Sequence, residues 1–287
     1  MGLREWGAAL LLLAGCSVKE STTEYVRLVD ERPLEERIAK PKNYYERALA
    51  VKQKALAEKD TEKRNLLLAA AESDFFAAFH AQHNPYMSLL EQADCQSLEG
   101  KSMQAFKTLT KASIFLEKDK KDSPYLPDLK AIGYNAEGKI SIRHDMLGHA
   151  EESFTSAIKS RDNPDSRWQR YELRMKKATT IVNKEMHIDP EITKTAFEDI
   201  DAYIKFMPDE PDGYVIKYIA LGIVAMPLTD PDEKQEKINE ICDTLKRLVN
   251  LLDNKKEFQR QECKKFSAQS FRDAYEKIKP FYQPKDN

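Results

Sequence analysis

From residue 43 onward, apolar residues recur mainly at intervals of three and four, the spacing of one face of an α-helix. The positions between them are rich in Ala, Leu, Lys and Glu, all of which favour helices. Strict alternation of apolar and polar residues, which is typical of strands, is rare, and glycine is scarce. The pattern therefore predicts an all-α fold.

Several helix ends are marked by proline beside an acidic residue. Asp189-Pro190-Glu191 and Asp230-Pro231-Asp232 each place Asp at the N-cap and Pro at the first helical position, followed by an acid that complements the helix dipole. We expect three helices at the C-terminal end: Pro211 to about Met226, Asp232 to about Leu252, and Phe258 to about Ile278. The last would cap the array with a polar outer face that includes Gln259, Arg260, Gln261, Lys264 and Lys265.

A motif of small, large, and small or flat residues recurs four times with the spacing i, i+4, i+7, which puts all three residues on one helix face. The small residues let a neighbouring helix approach closely, and the large one fills the space between. The four copies are Ala71-Phe75-Ala78, Ala105-Leu109-Ala112, Ala150-Phe154-Ala157 and Ala196-Ile200-Tyr203.

This motif resembles the second helix of a tetratricopeptide repeat. Two units also match the first helix of that family, through Leu89, Ala93, Gly100 and Ala105, and through Gly138, Leu147 and Ala150. The resemblance covers roughly Lys63 to Pro208 and implies a solenoid of helix pairs. The alternative is a set of generic helix pairs with alanine at their close contacts.

The spacing of the units departs from that family. The aligned alanines are 34, 45 and 46 residues apart, and only the first interval equals the family period. The extra residues fall at Glu117 to Asp128 and around Lys184 to Asp189. We therefore expect an irregular α-helical solenoid with lengthened helices or loops and a C-terminal capping helix.

The first residues have the parts of an export signal: a basic Arg4, an apolar run from Trp6 to Ala14, and then Leu13-Ala14-Gly15-Cys16. Nine apolar residues make only about 14 Å of helix, roughly half of a bilayer core. The four residues ending at Cys16 resemble the lipobox of bacterial lipoproteins, which implies cleavage before Cys16 and a covalent diacylglycerol on its thiol. The alternative is an ordinary signal peptide with a chance cysteine.

These features suggest four segments. Residues 1–15 are the signal peptide, and 16–42 are the lipidated cysteine and a flexible tether, with a possible short helix at Pro33 to Ala39. Residues 43–210 are the repeats, and 211–287 the C-terminal helices.

The charge and the cysteine content of the chain argue against two classes of protein, nucleic-acid-binding proteins and disulfide-stabilised ones. The chain has 46 basic and 48 acidic residues and a net charge of −2, so we expect no nucleic-acid partner. Once Cys16 carries lipid, three thiols remain, which is not a disulfide framework. Cys95 is expected to be buried, and whether Cys242 and Cys263 pair stays open.

Motifs for catalysis are missing from the sequence. It contains no phosphate-binding glycine loop and no G-x-S-x-G elbow. His80 and His83 lie on adjacent helix-face positions, but nothing nearby completes a set of metal ligands. We expect neither an enzyme nor a metal, and no cofactor beyond the lipid on Cys16.

The resemblance places the first helix of each pair on a concave surface. Asp94 and Leu98 would face inward from one unit, and Asn135, Lys139 and Arg143 from the next. The last three form a polar and basic strip that could bind an acidic peptide or a chain terminus. The alternative is that these side chains simply meet water.

We therefore expect a lipid-anchored, non-catalytic adaptor or scaffold for a cell-envelope complex, with envelope or periplasmic proteins as partners and an oligomer as an option. Ser17 after the cysteine favours the periplasmic face of the outer membrane. In architecture and length the chain is also similar to the T-component lipoprotein of TRAP transporters. That alternative implies a small apolar ligand and a partner binding protein. An enclosed apolar channel would favour it, whereas an open polar groove would favour the adaptor.

Overall fold

A computed structural model describes residues 43–119, 123–182, 185–254, 256–260 and 263–283. Cys16, the expected signal peptide and tether, and the short helix expected at Pro33 to Ala39 lie outside the described residues.

The described chain is overwhelmingly α-helical, which confirms the predicted fold class. The helices are α1 (Tyr44–Ala57), α2 (Thr61–His80), α3 (Pro85–Leu98), α4 (Ser102–Asp119), α5 (Leu126–Arg143), α6 (Leu147–Ser160), α7 (Pro164–Ala178), α8 (Pro190–Phe206), α9 (Pro211–Ala225), α10 (Pro231–Asp253) and α11 (Ala268–Ile278), with a short 3₁₀ turn at Lys279–Phe281. Two strands, β1 (Thr179–Val182) and β2 (Glu185–Ile188), lie between α7 and α8.

The chain divides into two compact units, one ending at Arg161 and the other beginning at Asp162. The boundary that the sequence predicts after residue 210, between the repeats and the C-terminal helices, lies within the second of these units. The described part of the first unit contains α1 to α6, in which each helix packs against the next. The second contains α7 to α11, with contacts between α7 and α8, α9 and α10, and α10 and α11.

The repeated motif forms the close contacts between helices. All twelve of its residues are buried, from Ala71, Phe75 and Ala78 in α2 to Ala196, Ile200 and Tyr203 in α8. Gly138 on α5 faces the same kind of contact, because a Cβ there would lie 2.5 Å from the ring of Phe154. The predicted helix face is therefore the core face in every copy.

Two turns between paired helices use the left-handed region of backbone space. Gly100, which lies between α3 and α4, has φ +81°. Its amide donates to Ser97 O, and the amide of Lys101 donates to Gln96 O, which caps α3. Asp145 takes the equivalent place after α5 with φ 58°, a conformation that Asp tolerates better than most residues.

The two insertions have different structures. The first insertion, Glu117 to Asp128, includes the end of α4 at Asp119 and the connection before α5, which begins at Leu126. The second forms an antiparallel hairpin that pairs Thr179 with Ile188 and Val182 with Glu185, and not a helix extension or loop. The run Thr179 to Val182 is β-branched throughout, and such residues favour strands.

The expected helix from Phe258 to Ile278 is wrong in its first half, because α11 begins only at Ala268. The buried carboxylate of Asp212 accepts hydrogen bonds from the amides of Gln259 (2.9 Å) and Arg260 (3.1 Å), so these amides serve an inter-element contact instead of a helix. Ser267 then caps α11 by accepting from the amide of Ser270 at 3.1 Å. Of the polar residues assigned to its outer face, the described ones precede the helix.

Candidate functional site

The first helices of the three pairs in the first unit are linked by charged side chains. Lys52 on α1 forms ion pairs with Glu91 (2.5 Å) and Asp94 on α3. Arg143 on α5 binds the other carboxylate oxygen of Asp94 and donates to Ser97 Oγ at 3.3 Å. We call Lys52, Glu91, Asp94, Ser97 and Arg143 the first-helix network.

The opposite charges in the first-helix network stabilise the charged form of one another. Burial alone would favour the neutral carboxylic acid, but the positive charges of Lys52 and Arg143 outweigh it and lower the pKa of Asp94. Likewise, burial disfavours the charged amine, yet the two carboxylates outweigh it and raise the pKa of Lys52. The Lys52 side chain is only 11% exposed, so its charge depends on these partners.

The five residues expected to bind a partner therefore do not form a strip of free groups. Asp94 and Arg143 are ion-paired with each other, and Arg143 remains exposed. Leu98 is half-buried and packs against the core cluster that contains Phe75. Asn135 is half-buried with an amide oxygen that has no hydrogen-bond partner, and Lys139 is exposed.

An open groove of about 530 Å³ lies next to this network, between α4 and the turn from α5 to α6. We call it the methionine groove. Its lining residues are Ser102, Met103, Phe106, Lys107, Thr110, His144 and Met146. Met103 is 71% exposed and Met146 43%, so the groove presents apolar surface to solvent.

Contacts with neighbouring side chains position two lining residues of the methionine groove, Phe106 and His144. The Phe106 ring lies 6.4 Å from that of His144 and 6.0 Å from that of His149. His144 Nε2 is 3.2 Å from Ser97 Oγ, which connects the groove to the first-helix network. The network thus fixes the side chain that forms one wall of the groove.

The lining of the methionine groove carries basic groups and no acid. Lys107 and His144 are the ionisable side chains among its seven residues. The helices that begin beside it, α4 and α6, have no acidic residue in their first turns to offset the positive end of the helix dipole. Asp145 is the acidic residue of the α5–α6 turn, and it is not part of the lining.

Sequence reasoning missed this groove. Its residues come from two elements that are far apart along the chain, and no motif joins them. One signal was available: Met103 lies off the buried face of α4 that Ala105, Leu109 and Ala112 define. An apolar residue on the outer face of an amphipathic helix indicates a contact surface.

The second unit has a polar cluster of a different kind. The completely buried carboxylate of Asp199 accepts hydrogen bonds from Arg167 (2.8 Å), Arg170 (2.6 and 2.8 Å) and Arg174 (2.9 Å). The three arginines lie on one face of α7, at i, i+3 and i+7, and bind α8 through this carboxylate, while Arg174 also donates to Thr195 O at 3.1 Å. The arrangement joins two helices and leaves Asp199 inaccessible to a ligand.

The remaining reactive side chains have structural surroundings. His83 Nδ1 accepts from the amide of Tyr44 at 3.2 Å, and the His80 ring packs on Phe76. Burial raises the pKa of the Cys95 thiol to about 12. The Cys242 thiol is free, so it is not bonded to Cys263. Within the described ranges, no three His, Cys, Asp or Glu side chains are grouped to hold a metal ion.

In the part of the chain that the structure describes, none of the helices combines the length and apolar character needed to cross a membrane. No protein-family model matches the chain, and comparison with curated proteins gives no match.

Proposed function

We propose that this chain is a lipid-anchored, non-catalytic adaptor that binds envelope or periplasmic proteins through its helical stack. The methionine groove is the observation that carries the proposal. It is open to solvent and lined by both polar and apolar side chains, which suits contact with a segment of another protein. Methionine suits such a surface because its flexible side chain adapts to partners of different shape.

The anchor is proposed on the sequence alone. The lipobox-like residues ending at Cys16 support lipidation, and two or three acyl chains together would hold the protein firmly on a membrane. Ser17 supports the periplasmic face of the outer membrane. An anchored protein with helix pairs and an open groove suits assembly of a complex near that surface.

Lipidation is tested by expressing the full chain in a bacterium with an outer membrane. The wild type should fractionate with membranes, and the mass of its N-terminal peptide should include a diacylglycerol. Cys16→Ala should lose both properties, whereas Cys95→Ala should keep them. A Cys16→Ala protein that is still membrane-bound through its N-terminus would contradict the proposed anchor.

Partner binding is tested by affinity capture from a detergent-solubilised envelope, followed by mass spectrometry. The adaptor function requires a specific protein that is captured by the wild type and lost with Met103→Asp. Ile114→Asp is the matched control, since Ile114 is 49% exposed on the same helix but outside the groove. Recovery of no specific protein would count against the adaptor.

A transport accessory lipoprotein that holds a small apolar ligand is the alternative, and it needs an enclosed apolar cavity. The partly enclosed cavity between α3, α4 and α5, beside Tyr86 and Tyr134, has a volume of about 40 Å³. That space suits a water molecule or two, not an organic ligand. The observed openness of the larger groove supports the adaptor.

A further inference from the structure

The methionine groove offers an apolar contact to an incoming side chain. Met103, Phe106 and Met146 converge on it from α4 and from the α5–α6 turn. Both methionines are exposed, so their apolar surface is not used in the core of the first unit. An aliphatic or aromatic side chain that enters the groove would remove this surface, and its own, from water.

The charged side chains around the groove determine which partner residues can bind next to that apolar side chain. Lys107 is exposed on α4, one helical turn from Met103, and His144 faces it from the turn after α5. Lys107 can therefore reach a carboxylate next to a residue held against Met103. A basic partner segment would bring like charges together without an acidic lining residue to compensate.

We propose that the methionine groove binds an acidic peptide segment of a partner protein, with one aliphatic or aromatic residue seated against Met103, Phe106 and Met146, and a neighbouring carboxylate paired with Lys107. This inference rests on the proposed adaptor function and specifies the chemistry of its partner. It moves the acid-binding role from the strip of Asn135, Lys139 and Arg143 to a different surface of the same unit.

The test uses defined peptides and the purified full-length mature chain. A fluorescein-labelled peptide with glutamates on both sides of a central Leu-Phe pair is titrated by fluorescence polarisation. Two matched peptides replace every Glu with Gln, or Leu-Phe with Ser-Ser. We expect the acidic apolar peptide to bind at least about tenfold more tightly than either, because it alone makes both kinds of contact. Its Kd should also rise between about 0.05 and 0.3 M NaCl, since salt screens the charge contact.

Two variants on α4 and two matched controls locate the site. Met103→Asp should weaken the acidic peptide about tenfold or more, and Lys107→Glu about three- to tenfold. Ile114→Asp and Lys118→Glu place the same new charges on exposed positions of α4 outside the groove and should leave the Kd unchanged. Asp in the first turn of a helix complements its dipole, so Met103→Asp should fold normally, which its circular dichroism and thermal unfolding will verify.

Three outcomes would overturn the inference: no binding of the acidic peptide, equal binding of its Gln counterpart, or a Kd that Met103→Asp and Lys107→Glu leave unchanged. Self-association in analytical ultracentrifugation that disappears with Met103→Asp would also overturn it, by assigning the groove to a second copy of this chain. Failure with peptides alongside capture of a protein partner would leave the adaptor function standing. Failure of both would remove the two proposals together.

Discussion

A methyl group added at Gly138 would lie 2.5 Å from Cε1 of Phe154, closer than real Cβ contacts come. The Phe154 ring is completely buried and has little room to move. Gly138→Ala should therefore lower the free energy of unfolding by about 1–3 kcal/mol, in spite of the higher helix propensity of alanine. The urea unfolding midpoint of the purified protein measures this.

Gly148 is the control for Gly138, because it is also helical and has open space at the Cβ position. Gly148→Ala should leave stability unchanged or raise it by up to about 1 kcal/mol, since only helix propensity changes. If both substitutions shift the midpoint in the same direction, the close contact between α5 and α6 does not determine stability at Gly138.

Single residues explain why the core could be predicted and the candidate site could not. Small residues at helix contacts recur at a regular spacing in the sequence, so Ala105, Ala150 and Ala196 could be assigned to buried faces from spacing alone. Arg143 belongs to no repeated pattern of this kind. Its choice between a partner and Asp94 depends on how close α3 and α5 come together, a distance that the local sequence does not encode. The same holds for Met146, whose role in the groove depends on α4.

At the scale of elements, the first-helix network should make stability depend on pH through Asp94. Its pKa in the folded protein is lowered, so its stabilising effect is present above the unfolded value of about 3.9 and is lost as pH falls through the folded value. The pKa of Lys52 is raised, so its contribution is present below about pH 10.4 and is lost as pH rises through the folded value. The pair therefore stabilises the fold throughout the neutral range.

Asp94→Asn tests this link between α1, α3 and α5. At pH 7 the variant should be less stable by about 1–3 kcal/mol, because Lys52 and Arg143 lose a charged partner. As pH falls through the lowered pKa of Asp94 in the folded protein, the difference from the wild type should shrink, because the wild-type carboxyl then becomes protonated. Asp253→Asn, which breaks an exposed pair with Arg272, is the control and should change stability little. A difference that is constant with pH would show that charge at Asp94 does not matter.

Another element-scale contact fixes the segment before α11. Asp212 is completely buried, and its carboxylate holds the amides of Gln259 and Arg260, while the Arg260 guanidinium lies 4.0 Å from the Trp168 ring centroid. Asp212→Ala should cost about 2 kcal/mol or more, because two amides lose their acceptor. Hydrogen exchange at those two amides should accelerate.

The exposed Asp209 is the control for Asp212. Its pair with Arg247 is long, at 3.6 Å, so Asp209→Ala should not alter exchange at Gln259 and Arg260. If Asp212→Ala fails to fold, Asp212→Asn keeps one acceptor oxygen and should give an intermediate exchange rate. Unchanged exchange in both Asp212 variants would refute this explanation of why no helix begins at Phe258.

The elements that sequence reasoning placed well are those whose boundaries are set locally. An Asp-Pro pair at 230–231 predicts the start of α10 because the cap and the first turn lie within a few residues. The segment from Phe258 follows a helical pattern, yet it is held open by Asp212 on another helix. Similarly, strand pairing between residues 179 and 188 needs both strands, and each is too short to have a clear period on its own.

For the whole molecule, the hydrophobic cores follow the division at residue 161. In the described part of the first unit, one core cluster joins α1, α2 and α3 around Phe75, and another joins α3, α4 and α5 around Leu89. The second unit has a core cluster that runs from Trp168 through Ile200 and Leu245 to Phe271. Each unit therefore buries apolar side chains of its own.

We expect residues 43–161, expressed alone, to fold into a helical domain with a cooperative thermal transition, since such a unit carries its own core. Residues 43–125 are the matched control. They end before α5 and so lack Ile140, which packs in the cluster around Leu89. That shorter chain should unfold at a lower temperature or without a cooperative transition, as measured by far-ultraviolet circular dichroism, which reports helix content. If residues 43–161 alone show no cooperative transition while the full chain does, the first unit depends on the second, and the compact units are not independent domains.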